Sequence, residues 1–194
     1  PLPRPARERL RLCLLTREYP PCGCGGIGQW TREVAVGLAT RGHEVTVIAR
    51  ALDGPPQIDF VDGVWVHRAE IADAGPPPEL PGGQTVPQAL WDHSRAMFDE
   101  VGKLARVDAV YAPLWDGEPL AFLREPRWPL VVALQTTLDF WLDSQPALRR
   151  DDAWMRARGA PVLALERFIL AHAPRLHANS RAIVEDIAQR YGLS

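Results

Sequence analysis

The stretch from Leu10 to Ala49 changes its hydrophobic period twice, and that change constrains the fold more than any other feature of the sequence. Leu10 to Leu15 is a short, mostly apolar run, the pattern of a strand buried on both faces of a parallel sheet. A long turn, Thr16 to Gly28, follows it. From Trp30 the apolar positions Trp30, Val34 and Leu38 recur every four residues, and Gly42 is placed to close a helix at Arg41 in the left-handed conformation. Glu44 to Ala49 is short and β-branched, which predicts a second strand. Strand, glycine-rich loop, helix and strand make a βαβ unit, which commits the chain to parallel strands joined by helical crossovers.

The rest of the chain keeps this alternation. Ile58 to Phe60 and Val64 to Arg68 flank the turn dipeptide Asp62-Gly63, which suggests a hairpin or a bent third strand. Asp73 to Pro87 reads as a Pro/Gly-rich surface loop, followed by a helix presenting Leu90, Met97, Phe98, Val101 and Leu104. Ala109 to Ala112 and Leu130 to Leu134 are strand candidates, with a short helix around Pro119 to Arg124 between them. Pro161 suits a first helical position, and the helix Val162 to Ala173 must stop at Pro174. Arg175 to Ala178 is a last short strand; Ser180 then caps a helix with Ile183, Ile187 and Tyr191 on one face and Gly192 closing it. The expected fold is α/β, a doubly wound parallel sheet with helices on both faces. In such sheets ligands bind beyond the carboxyl ends of the strands, here the loops after Leu15, Ala112, Leu134 and Ala178.

Composition narrows the function. The 194 residues suffice for one ordinary domain, and the formal charge of −2 offers no net positive field to gather nucleic acid. Apolar runs such as Leu12 to Leu15 and Leu130 to Leu134 are far shorter than the ~20 residues that span a bilayer. Cys13, Cys22 and Cys24 form no disulfide framework, which points to a reducing, cytoplasmic setting. His43, His67, His93, His172 and His177 lack metal-ligand spacing, so no metal is expected, and apart from the NADP alternative below no cofactor is assigned. Residues 1–9, opening Pro1-Leu2-Pro3-Arg4-Pro5, read as a flexible tail ahead of a domain over residues 10–194.

Gly23-Cys24-Gly25-Gly26-Ile27-Gly28 satisfies the dinucleotide pattern G-x-G-x-x-G. Yet Gly23 lies eight residues beyond Leu15, whereas that fold places its first glycine at the strand end. Arg50 occupies the place of the ribose-binding acid and suits only a 2′-phosphate, so an NADP-binding Rossmann domain stands as one alternative. The other reading needs only that Gly25 to Gly28 lead into the helix, where backbone N–H groups and the positive helix end favour a phosphate or other anion. A loop that merely turns through positive φ is the plain structural reading.

Glu18-Tyr19-Pro20-Pro21, Gly25-Gly26-Ile27-Gly28 and Leu38-Ala39-x-x-Gly42-His43-Glu44-Val45-Thr46-Val47-Ile48 together resemble the opening of family-4 retaining glycosyltransferases of the GT-B fold. The resemblance continues through Asp108 to Ala112, Pro129 to Thr136, Leu165-Glu166-Arg167 and Ala178 to Ile183. It implies a Rossmann-like N-terminal half that takes the acceptor, and a C-terminal domain, absent from this chain, that binds most of a nucleotide-diphosphate sugar. Tyr191-Gly192-Leu193-Ser194 falls where such chains cross between halves. The partners so implied are the nucleotide-sugar donor, a glycan or lipid acceptor and the second domain, with peripheral membrane contact as a further expectation. The loop Gly25, Gly26, Ile27 and Gly28 would present N–H groups to the donor diphosphate. Many members carry a histidine where this chain has Gln135, whose amide can hydrogen-bond sugar hydroxyls but cannot titrate. A non-catalytic carbohydrate-binding module is the remaining alternative.

The candidate acceptor or sugar contacts are Tyr19, Trp115, Asp116, Gln135, Thr136 and Thr137, with Ser180 and Arg181 elsewhere in the cleft. Each has a structural reading beside the functional one: loop capping for Gln135 to Thr137, packing for Trp115 and a helix cap for Ser180. Trp30 is read as packing beneath the glycine loop, and Phe140, Trp141 and Trp154 as covered core or an apolar acceptor or membrane-facing surface.

Overall fold

The computed structural model describes residues 9–22, 25–52 and 54–192. The expected tail lies outside these except for Arg9, as do Gly23 and Cys24 of the glycine pattern and the last two residues. Strand β1 (Arg11–Leu15) leads through the long loop into α1 (Gly26–Thr40) and β2 (Glu44–Arg50). Gly42, at φ 93°, turns the chain after α1 as its position predicted. Cys13 and Leu15 belong to one apolar cluster and Leu12 and Leu14 to another, so alternate residues of β1 face opposite sides of the sheet. On one side lies α1 with Ala35; on the other lie Met97 and Phe98, then Leu165 and Ile169.

Strands β3 (Gln57–Val61) and β4 (Val64–Ala69) form the hairpin around Asp62-Gly63. Asp62 (φ 54°) and Gly63 (φ 82°) both take the left-handed conformation that a two-residue hairpin turn requires. The sequence reading of Asp73 to Pro87 as a plain loop is corrected in part. It contains the small hairpin β5 (Glu79–Leu80) and β6 (Gln84–Thr85), turned at Gly82 and Gly83. Two-residue strands carry too little alternation to register in sequence; Leu80 and Val86, both buried, anchor this one to the core.

After α2 (Gln88–Gly102) come β7 (Ala109–Pro113), α3 (Pro119–Arg124) and β8 (Leu130–Leu134). Short helices α4 (Leu138–Asp143), α5 (Pro146–Arg150) and α6 (Asp152–Trp154) then run through a π-helical turn, Met155–Gly159, into α7 (Ala160–His172). Helical backbone thus precedes Pro161 instead of starting there. In the widened turn Ala160 N–H bonds to Met155 O, and Pro161 follows at the head of α7, where a residue with no N–H is tolerated. Strand β9 (Leu176–Ala178) and helix α8 (Arg181–Tyr191) complete the described chain.

The strand order is β3-β4-β2-β1-β7-β8-β9, parallel at every pairing but β3–β4. The chain builds outward from β1 through β2 and β4, then returns to the other side of β1 and builds outward again through β7, β8 and β9. The direction of winding therefore reverses between β1 and β7, the position at which doubly wound sheets open a crevice.

Glu166 of α7 locks the carboxyl-end loops on the β8 side. Its carboxylate, 1% exposed, accepts from Leu138 N–H at 2.6 Å and from the Tyr191 hydroxyl at 2.5 Å, joining α4, α7 and α8. Arg190 adds an outer tie, reaching Asp139, Asp143 and Asp186 while lying over the Phe140 ring. Burial pushes Glu166 up to about 7, against the opposing pull of its hydrogen bonds. Between its unfolded value of 4.5 and about 7 the folded protein holds the extra proton, so stability from this group is full below that window and falls as pH rises through it. Glu166→Gln should therefore gain on wild type as pH increases, by on the order of 3 kcal/mol from pH 4.5 to 8 in urea unfolding, at about 1.4 kcal/mol per pH unit of the shift. A difference that stays constant with pH would show that Glu166 does not titrate in this window.

Candidate functional site

The loop after β1 leaves the sheet gradually. Thr16 N–H bonds to Ile48 O at 3.0 Å and Arg50 N–H to Arg17 O at 3.2 Å, so the chain follows β2 before it turns. Arg68 of β4 holds the turn by donating to Tyr19 O at 3.1 Å and Pro20 O at 2.8 Å. Gly25 is the N-cap of α1, and the helix has neither a side-chain cap nor an acidic residue in its first turn. Gly25 N–H instead donates to Glu18 Oε2 at 2.9 Å. An anionic oxygen from the chain itself thus already rests at this helix end, as the helix dipole favours. Gly28 is required by close approach: a Cβ there would lie 2.5 Å from Glu18 O, whereas one on Gly26 would meet nothing within 4 Å.

The loop after β7 faces it across the crevice. Leu114 N–H bonds to Ala133 O at 3.0 Å, and Gly117 (φ 73°) then turns the chain between Asp116 and Glu118. Asp116 Oδ1 accepts from Arg17 at 3.1 Å. Burial first, then the neighbouring Glu118 charge, pushes Asp116 up to about 6, while Arg17 and His93 pull it down. Together these loops enclose a cavity of about 250 Å³ lined by Thr16, Arg17, Glu18, the Gly25–Gly28 segment, Trp115 and Asp116. The glycine loop and the Trp115-Asp116 pair, read separately in sequence, share one cavity.

Gln135, Thr136 and Thr137 line a second cavity of about 300 Å³ beyond β8, closed by Phe140 and by Ala182, Ile183, Asp186 and Ile187 of α8. Thr137 is also the N-cap of α4, accepting from Phe140 N–H at 3.1 Å. Both Gln135 amide atoms, Nε2 and Oε1, are buried without a hydrogen-bond partner among the described residues. A buried amide in that state costs stability. Trp115 of the first cavity meets Trp141 of α4 edge-on at 6.4 Å, next to Phe140 of the second.

Other sequence candidates lie elsewhere. Tyr19 is buried in the apolar cluster on the α1 side, and its side chain does not line the cavity. Trp30 stacks on Tyr111 at 5.6 Å, the packing role expected for it. Ser180 caps α8 by accepting from Ile183 N–H at 3.3 Å; neither it nor Arg181 lines either cavity. Arg50 closes β2 and does not line the glycine-loop cavity. A larger cavity of about 490 Å³ lies between the β5–β6 hairpin and α7 and contains none of the sequence candidates. Sequence reasoning missed Arg17, although its position two residues past a strand's carboxyl end was a usable signal. Phe140, for which an apolar surface was one of the readings, does wall the second cavity; Ile183 was missed as a wall, because an apolar residue at helical spacing reads as core.

Replacing Gln135 by leucine removes two unpartnered polar atoms and should leave stability unchanged or raise it by about 1 kcal/mol in urea unfolding. A loss of about 2 kcal/mol or more would mark the amide as a structural contact.

Residues 25–194 match a family profile described as a glycosyl transferase 4-like domain. A sequence search of curated proteins returned no match. Among solved structures, sucrose-phosphate synthase from Thermosynechococcus elongatus superposes with a TM-score of 0.62 at 16% identity, over 94% of this chain and 45% of that one. A second structure of the same synthase gives 0.56 at 14% identity, over 95% of this chain and 83% of that one. At these identities the likeness shows the fold, the Rossmann-like half of a GT-B enzyme. The chain spans less than half the length of the first of these structures. The match over residues 25–194 includes Gly25–Gly28, the loops after β7 and β8 and helix α8, while Thr16, Arg17 and Glu18 precede it, and by it the chain belongs to the glycosyl transferase 4-like domain family.

Proposed function

We propose that this chain is the acceptor-side half of a retaining glycosyltransferase that moves a sugar from a nucleotide-diphosphate sugar to a glycan, lipid or small-molecule acceptor. The observation that carries this reading is the cavity at the reversal between β1 and β7, with a helix N-terminus on one wall and Trp115 and Asp116 on the other. The Gly25–Gly28 backbone would hold the donor diphosphate, and Arg17 adds a positive charge to the same cavity. Transfer with retention loads negative charge onto the departing diphosphate, and donors fixed in advance at that charge are each worth about 3–4 kcal/mol. Trp115 offers an aromatic face and Asp116 a hydrogen-bonding carboxyl to a sugar ring. Gln135 and Thr136 add amide and hydroxyl contacts, and the Gln135 amide, unpartnered within the fold, gains its hydrogen bonds when a polyol arrives.

The remaining donor contacts belong to a C-terminal domain that packs across the crevice, in a cytoplasmic enzyme that meets membranes only peripherally. Among the described residues no helix is long and apolar enough to cross a membrane. In the protein carrying both halves, proton NMR of the product should show the anomeric configuration of the donor sugar; the opposite anomer would refute retention. Residues 1–194 alone should turn over no nucleotide sugar, and measurable turnover would contradict the division of labour between the halves.

A further inference from the structure

Behind Asp116 lies a buried pair outside the lining of the glycine-loop cavity. Glu118, 1% exposed, stands within 3.3 Å of His93 Nε2 through its Oε1 atom. Its other oxygen and His93 Nδ1 are buried without hydrogen-bond partners among the described residues. Ser94, the next residue of α2, donates to Glu118 O at 2.8 Å and accepts from Ala121 N–H at 2.9 Å, so α2 clamps the turn that carries Asp116. Gly117 holds that turn against α7, where a Cβ would lie 2.9 Å from Leu165. A carboxylate sealed in the core with one oxygen unsatisfied is poor material for stability, since the apolar isostere costs less. Placed two residues from a cavity-lining acid, the same group does something else: it adds negative charge behind that acid.

We propose that His93 and Glu118 are positioning residues for the glycine-loop cavity, holding the Asp116 turn and making Asp116 the group that takes up a proton when an anion settles on Gly25 to Gly28. The proposal rests on the anion-binding reading of that loop and extends it to residues outside the cavity. The charges facing Asp116 are Arg17 and Glu18 from the loop after β1, Glu118 at the head of α3 and His93 from α2, while α7 presents apolar Leu165. An incoming dianion meets two carboxylates, Glu18 and Asp116, in about 250 Å³. Its entry is unfavourable while both are ionised, and a proton on Asp116 removes one of the two repulsions. Burial first, and the Glu118 charge in addition, make that protonation easy near neutral pH, and Arg17 and His93 limit how far it goes. Ligand binding and proton uptake are then linked: the anion raises the proton affinity of Asp116, and protonation of Asp116 tightens the anion.

The test follows the Asp116 carboxyl by ¹³C NMR in the intact protein, with inorganic sulfate as a dianion that does not itself titrate between pH 5 and 8. The expected midpoint is about 6 without sulfate. Saturating sulfate should move it upward, together with shifts in the Gly26, Ile27 and Gly28 amides. Glu118→Gln should lower the midpoint, leaving the part that burial causes, and His93→Gln should raise it, in variants whose amide spectra report an intact fold. A midpoint unmoved by either substitution overturns the role of the pair, whatever sulfate does. Sulfate that shifts the loop amides without moving Asp116 overturns the linkage alone. Sulfate that shifts no loop amide overturns the anion-binding reading and the linkage with it.

Discussion

Because β1 is buried on both faces, with Cys13 and Leu15 packed to one side and Leu14 to the other, its carboxyl end cannot move independently of either helical layer. Each such side chain contributes about 1.5–3 kcal/mol when fully buried, so the strand is held by the two largest cooperative blocks of the fold at once. The loop that follows inherits this rigidity through the Thr16 and Arg50 backbone bonds and the grip of Arg68 on Tyr19 and Pro20. That fixes where α1 begins, and with it where the unsatisfied N–H groups of a helix start are offered. Everything assigned to the glycine-loop cavity depends on this chain of constraints, which begins with a five-residue strand whose near-continuous apolar run packs alternately to the two faces of the sheet.

The two cavities divide the polar chemistry in a way the sheet order explains. Loops after β1 and β7 meet at the reversal of winding, and they bring together a helix start, a cation and a carboxyl of raised proton affinity. The loop after β8 supplies a neutral amide and hydroxyls, and α8 supplies apolar walls and the Asp186 carboxylate, which Arg190 pairs. The first set suits an anionic ligand portion and the second a hydroxyl-bearing one, for which an amide, hydroxyls and a carboxylate are all hydrogen-bonding partners. Glu166, by bonding Leu138 N–H and the Tyr191 hydroxyl, holds α4 and α8 together around the second set, and Trp115 of the first set meets Trp141 of α4 edge-on.

Much of this was legible in sequence because it rests on local physics. Strand periods, Gly42 and Gly192 as helix terminators, Ser180 as a cap and Asp62-Gly63 as a tight turn all follow from a few neighbouring residues, and the structure has each of them. The placement of cavities beyond the carboxyl ends of β1, β7 and β8 was likewise legible, since it follows from parallel winding alone. What escaped depends on residues distant in the chain. His93 and Glu118 are 25 positions apart, and nothing in either segment announces that they meet. Arg17 and Asp116 are 99 apart. Tyr19 looked available beside two prolines, yet the Arg68 clamp turns that segment inward and buries the ring. The β5–β6 hairpin and the π-helical turn before α7 escaped for a different reason: each is too short to establish a period.

The central claim is that the start of α1 receives the diphosphate of a nucleotide-sugar donor. A structure of the complete protein with a nucleoside diphosphate bound tests it most directly. The account predicts diphosphate oxygens within about 2.7–3.1 Å of backbone N–H groups in the Gly25–Gly28 segment, with Glu18 displaced from Gly25 and Arg17 turned toward the ligand. A diphosphate bound away from this loop, with the Glu18 carboxylate still on Gly25 N–H, would contradict it.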